Sequence, residues 1–418
     1  MIQNKQIRIK KTDAFSDGPL SKAVPKAAGK DVLRWYVAQA TAEELIVEVT
    51  TYEAGLNQYD DAGARAHYPG KNVVLNIVPT GIGCSIGGYA GDAAPATNLL
   101  SHAADYLVTN PNTVNASNFI SLRGSNILYT DGFSIDLFCK GAVDLHIPYS
   151  NRVGLIVEKC DERSLDVIYN IVNAVRAVHG VNISDVLVTE QKVGGRCVEN
   201  QSGGFAGTVD NPHVLFEACE KLLRNGVNAI AVTTNISDLP LQNYAKHFTG
   251  EYPNPIGGVE AIISYLITNR FRAPSAHAPL LNIKELDLKR NVVDARGAGE
   301  FASESGLACV LIGLRGAPHI SAQTVSRVAG VVNVNNLSAV VTPASCLGGI
   351  PALYAQKYGI PVIAVGENQT ILKIDREVMG MTNVVEARSY AEAAGLLLAL
   401  KHGIHPESLS RPLKTLRH

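Results

Sequence analysis

The chain has 418 residues, a formal net charge of −1 and 18% charged residues, which makes it too long for one ordinary core and gives it no basic excess for nucleic acid or acidic membrane. No apolar run approaches the roughly 20 residues of a bilayer span, and the N-terminus lacks the apolar stretch of a secretory leader. Seven cysteines, at 84, 139, 160, 197, 219, 309 and 346, form no CxxC pair, so neither a disulfide framework nor a zinc site is expected and a reducing, cytoplasmic setting is.

In chain order, Gln6–Lys10 alternates polar with apolar residues and Glu44–Thr51 reads as a strand or helix end. Gly55–Gly70 is polar and turn-rich, so the N-terminal region is expected to be irregular. Strand-length apolar runs then alternate with helix-period segments. The predicted strands are Val73–Val78, Asp105–Thr109, Gly154–Glu158, Asp185–Thr189, Ala229–Thr233, Ala308–Ile312, Ala339–Thr342 and Pro361–Val365. The predicted helices are Glu162–Val178, Val214–Asn225, Gly258–Asn269, Gly349–Tyr358 and Tyr390–His402. This alternation implies parallel sheets with right-handed crossovers, hence an α/β fold of two Rossmann-like, three-layer domains behind the irregular N-terminal region. The expected divisions are 1–150, 151–280 and 281–418, the second break marked by Arg272-Ala273-Pro274 and the charged Lys284–Arg290. Low charge with many Ala and Gly residues suggests a large buried fraction, to which contacts in a homo-oligomer would add.

Two glycine turns follow predicted strands. In the first, Gly81, Gly83, Gly87 and Gly88 precede Gly91 and Asp92; in the second, Ser345 and Cys346 precede Gly348 and Gly349. Bare backbone at the carboxyl end of a strand can close around an anion, and a following helix N-terminus favours negative charge. Ser345 is a candidate N-cap, Asp92 a hydroxyl or metal ligand or a cap, and Glu367 and Asn368 emerge at the same sheet edge. The first turn is GxGxxxG with Pro95 delaying a helix, and no acidic residue ends a second strand at the expected offset, which disfavours a standard dinucleotide site. Cys84 and Cys346 would face each other across a cleft if the protein used two-thiol proton transfer. The alternative is that both are inert small hydrophobes.

The segment from Glu190 to His213 is glycine-rich and holds Lys192, Arg196 and Asp210. It reads either as an active-site lid, with the two cations clamping an anion and Glu190 or Asp210 as base, or as a solvated loop. His277, framed by Pro274 and Pro279, is the favoured general acid or base; His146 and His319 are weaker candidates. Glu260 opens a helix behind Gly257-Gly258, and Arg315 supplements the cationic set. No spacing argues for a metal, and no motif requires a cofactor.

The combination of Gly81–Pro95, Asn110–Asn115, Gly257–Ala261 and Ser275–Pro279 resembles an uncharacterised bacterial and plant family known as DUF3326, a domain of unknown function. The resemblance runs over most of the chain and implies no activity. The residues themselves point to an enzyme acting on a small anionic metabolite, carboxylate- or phosphate-bearing, by acid/base chemistry in an interdomain cleft. Isomerase, lyase or hydrolase chemistry suits them better than redox chemistry. A cysteine-dependent isomerase or hydrolase using Cys84 and Cys346 is the runner-up, and a metabolite sensor without turnover is the non-enzymatic alternative.

Overall fold

The computed structural model describes residues 1–12, 20–29, 31–59, 70–88, 92–115, 122, 124–238, 241–248, 250–280, 292–303, 305–322, 329–409 and 411–417. Gly91 and the charged stretch 284–290 lie outside the described residues.

The N-terminus is more regular than expected. Strands β1 (Ile2–Lys10), β2 (Val32–Ala40) and β3 (Glu44–Tyr52) form an antiparallel sheet in the order β1-β3-β2, with the helix Leu20–Ala28 packed on it. Alternation in Gln6–Lys10 and the β-branched content of Glu44–Thr51 are the signs of these strands. Of the turn-rich residues that follow, 60–69 lie outside the described residues.

Two parallel, Rossmann-like sheets carry the rest. The larger joins β4 (Val73–Asn76), β5 (Tyr106–Thr109) and β6 (Ile127–Tyr129) to β17 (Leu337–Pro343), β18 (Val362–Val365) and β19 (Val384–Ala387), in the order β19-β18-β17-β4-β5-β6. The first and last thirds of the chain, expected as separate domains, thus share one sheet through the parallel β4–β17 pair. The smaller sheet comes from the middle third alone: β8 (Arg152–Val157), β9 (Asn182–Val188), β12 (Ala229–Thr234) and β14 (Ser275–Pro279), in the order β14-β12-β8-β9. Strands such as β4 and β12 are buried along their whole length, as sheets covered on both faces require. Two small sheets complete the frame: β10 (Gly195–Glu199), β11 (Phe205–Val209) and β13 (Ile236–Ser237); and β7 (Val143–His146), β15 (His319–Ala322) and β16 (Val331–Val332).

One predicted strand is a helix. Ala308–Ile312 lies within the helix Leu307–Leu314, whose apolar sequence is buried in the core that also holds Val153, Leu155, Ala229 and Ala231 of the smaller sheet. A short run that is apolar on every side fits a buried strand and a buried helix equally well by pattern. The segment expected as a lid is largely the β10–β11 hairpin, in antiparallel register from Gly195–Val209 to Glu199–Phe205.

The helix Gly257–Phe271 is the central strut. Most of its residues are buried, and it packs on β2, β10, β11, β14 and the helices Gly132–Lys140 and Pro212–Arg224. An all-round apolar helix belongs in the middle of a protein. Its first turn approaches other backbone so closely that a Cβ on Gly258 would sit 2.6 Å from Phe205 O and Ala206 Cα. That contact holds the helix N-terminus, and Glu260 with it, against the hairpin.

Candidate active site

In open α/β sheets the natural crevice lies where strand order reverses. In the larger sheet this is between β4 and β17, and both glycine turns are there. The chain fills that crevice itself. Asn368 accepts from Ile86 N (2.9 Å) and donates to Ile86 O (2.8 Å). Ser85 N donates to Gln369 O, Ile371 N to Ile82 O and Ile374 N to Ser345 O, while Asp92 accepts from Gly87 N at 2.8 Å. The Ser85, Ile86 and Gly87 amides of the first turn are thus bonded to segment 368–374 and to Asp92, and Leu347 N of the second donates to Ile374 O. Gly81, Gly83 and Gly87 have positive φ, as turns this tight need, and Gly348 lets Val37 N bond its carbonyl. In the smaller sheet the reversal lies between β8 and β12, where buried Glu158 accepts from Val193, Gly194 and Asn235 N at 2.7, 2.9 and 3.1 Å. A carboxylate of the chain occupies the place of a ligand anion.

The open space is between the two sheets. A cavity of about 200 Å³ is bounded by the segments after β4, β5 and β6, by β14, by the first turns of Gly257–Phe271, and by Arg34 of β2. Ile77, Thr80, Asn110, Asn112, Asp131 and Gly132 thus come from the larger sheet's carboxyl edge, and Glu260 and His277 from the smaller sheet's layer.

Glu260 and His277 form a dyad. The His277 Nδ1 lies 3.4 Å from Glu260 Oε1, and Nε2 lies 2.9 Å from the Thr234 hydroxyl. A carboxylate can only accept, so Nδ1 carries the hydrogen and Nε2 accepts from Thr234. The His277 side chain is fully buried, whereas Glu260 keeps 26% of its side chain exposed. Glu260 therefore meets the cavity and His277 stands behind it with both nitrogens engaged. Surrounding protein atoms raise the Glu260 carboxyl above its ordinary value, partly offset by His277. Nearby, Tyr244 donates to Glu300 Oε1 at 2.7 Å and His247 Nε2 lies 3.6 Å from Oε2. Burial pushes Glu300 up, but His247 and Tyr244 together outweigh it and hold the carboxyl below its usual range.

At the other side, Asp131 caps the helix Gly132–Lys140, accepting from Ser134 N (3.0 Å) and Ser134 Oγ (2.7 Å). Burial still lifts its carboxyl to about 6. Asp136, one turn on, accepts from Tyr265 OH at 3.3 Å and is lifted by burial to about 7, against the pull of Lys140 and Arg34. Both groups bind protons in the folded state at pH values where the unfolded chain, near 3.9, has released them. The stability they contribute is present below that value and is lost as pH rises through 6 to 7. Asp136→Asn is accordingly expected to raise the melting temperature more at pH 8 than at pH 5. Equal destabilisation at both would contradict the assignment.

Of the residues singled out in the sequence, the structure brings His277 and Glu260 together at the cavity. Arg196 and Asp210 pair with each other at 2.8 Å on the surface, and Arg196 also reaches Asp238 at 2.8 Å. Lys192 is exposed beside them, and Arg315 bonds His179 O at a helix end. None of these four lines the cavity. Ser345 bonds Thr370 Oγ1 rather than capping a helix, which begins at Ile350 behind Gly349. Glu367 accepts from Tyr390 N. Gly81, Gly83, Gly87, Gly88, Asp92, Gly348, Gly349 and Asn368 all lie at the filled crevice. His146 and His319 pair across β7 and β15, bonded to Ser321 and Asn151.

Cys84 and Cys346 are buried, donate to Pro79 O and Pro343 O, and do not line the cavity. Burial, and then Cys346, drives the Cys84 thiol well up, while burial lifts Cys346 to about 12. Iodoacetamide at pH 7 is expected to alkylate half-buried Cys160 before either of them, because the thiolate is the reactive form. Rapid stoichiometric labelling of Cys84 or Cys346, mapped by mass spectrometry, would contradict this.

Arg34, Thr234, Tyr244 and Glu300 were not read from the sequence. They come from four separate segments, and only the Asn110–Asn115 cluster after β5 offered a polar signal near them.

A family model described as a protein of unknown function (DUF3326) matches residues 72–410. An uncharacterized lipoprotein of Synechococcus sp. (strain ATCC 27144 / PCC 6301 / SAUG 1402/1) is 35% identical over 351 residues, covering 82% of this chain and 95% of the relative. No solved structure matches the chain. Among the described residues, no helix is long and apolar enough to cross a membrane.

Proposed function

The chain belongs to the DUF3326 family, for which no function is described, and from its geometry we propose an enzyme that transfers protons on a small metabolite bound between the two sheets. One observation carries this reading. Glu260 presents a carboxylate with a raised pKa to the cavity, backed by a buried imidazole whose outer nitrogen is fixed by Thr234. A carboxylate with a raised pKa is the ordinary equipment of a general base or acid, and such groups cluster at functional sites.

Glu260 would take a proton from a carbon or hydroxyl of the ligand. The Nδ1–H of His277 holds the carboxylate in place by a hydrogen bond. Isomerisation or elimination next to a carbonyl suits this equipment. The free state of all seven cysteines supports a reducing, cytoplasmic setting.

The test is to incubate the full chain in deuterated water with a panel of small 2-oxo, 3-oxo and 2-hydroxy acids and follow proton NMR. Protein-dependent deuterium incorporation or interconversion is the expected result. A ligand that binds without exchange or turnover would instead support a sensor.

A further inference from the structure

Arg34 stands apart from the acidic character of the cavity. Among the described residues it is the one Lys or Arg in the lining, beside Asp131, Glu260 and Glu300. It comes from β2, in the antiparallel sheet that precedes the stretch matched by the family model. No carboxylate of the described residues lies within ion-pair distance of it. Its guanidinium sits 5.7 Å from the centre of the Tyr36 ring, and the Tyr36 hydroxyl is itself held by Asn200 at 3.0 Å. The side chain is half-buried and borders the cavity, with Tyr36, Asn200 and Glu48 around a smaller recess that it also lines. A guanidinium placed this way takes planar oxyanions by two parallel hydrogen bonds.

We infer that Arg34 is the carboxylate-recognition residue of this cavity and that its ligand is a small carboxylic acid. This deepens the proton-transfer reading and rests on it for the reacting end. Arg34 acts electrostatically on Asp136 and Tyr265, and Tyr265 lies on the same helix as Glu260, five residues further along. A carboxylate suits the place better than a phosphate, because Asp131, Glu260 and Glu300 repel a dianion about twice as strongly as a monoanion.

The experiment is titration calorimetry on the full chain with propionate, butyrate, lactate and inorganic phosphate, in wild type, Arg34→Met, Arg34→Lys and Glu260→Gln. Wild type is expected to bind at least one of the carboxylates and to prefer it to phosphate. Arg34→Met should weaken that binding by about tenfold or more, with Arg34→Lys between the two because it keeps charge but loses the fork. Glu260→Gln should bind as well as wild type or better, having lost a repelling charge. If Arg34→Met fails to fold, Arg34→Lys carries the comparison. Unchanged binding in the Arg34 variants, tighter binding of phosphate, or no binding of any carboxylate would overturn the inference. Weakened binding in Arg34→Met beside full turnover in Glu260→Gln would overturn the proton-transfer reading alone.

Discussion

Glu260→Gln is expected to lower turnover by about 10²–10⁴-fold, the usual contribution of a positioned acid or base, while leaving the fold and ligand affinity in place. Glutamine keeps the volume and can still meet His277 but cannot accept a proton. The wild-type pH profile should show the same group. A base must be deprotonated, so kcat/KM should rise with pH and level off once the carboxylate is free. Burial raises Glu260, so that limb should lie above the ordinary glutamate value of about 4.3. His277→Gln should move the limb higher still, because the imidazole favours the carboxylate form. A role for His277 in packing alone would leave the limb where it is.

The second large effect concerns the placing of Glu260. Gly258→Ala puts a methyl 2.6 Å from Phe205 O and Ala206 Cα, and backbone cannot swing aside as a flexible side chain would. Overpacking of this kind costs about 1–3 kcal/mol or more, which in a chain of this size is a fall of several degrees in melting temperature. The displaced first turn should also carry Glu260 out of line and reduce turnover beyond the stability loss. Gly395→Ala is the matched control. It lies in the helix Tyr390–Lys401 with nothing within 4 Å of the new methyl, and Ala is favoured over Gly in a helix by roughly 0.5–1 kcal/mol. The two substitutions should shift the melting temperature in opposite directions.

Periodicity exposed most of the parallel sheets. Runs such as Val73–Val78 and Ala229–Thr233 are β-branched, short and bounded by turn residues, and buried strands of an α/β sheet carry those features locally. Leu307–Leu314 carried no such discriminating mark, since its eight residues are apolar on every face. Which strands would join into one sheet was hidden too, because the β4–β17 pairing links Val73 to Leu337 and no local pattern encodes a contact that distant.

The site divides along the same line. His277 in its proline frame and Glu260 behind two glycines are unusual in their immediate sequence, and the fold brings them together. The glycine turns were equally conspicuous, but their small residues serve close backbone packing: Gly348 admits Val37, and the amides around Gly87 meet Asp92 and Asn368. A glycine needed for close approach of backbone looks the same in sequence whether the neighbour is a ligand or the chain itself. Arg34 and Thr234 sit in strands whose neighbours give no hint of them, because their relevance arises from tertiary placement.

The most direct measurement is a pH titration of the Glu260 carboxyl by carbon-13 NMR, in wild type and His277→Gln. A midpoint above about 4.3 that climbs further when His277 is replaced, and responds to a bound carboxylic acid, is the predicted result. An ordinary midpoint indifferent both to His277 and to added carboxylic acids would contradict the placement of a proton-transferring dyad in this cleft.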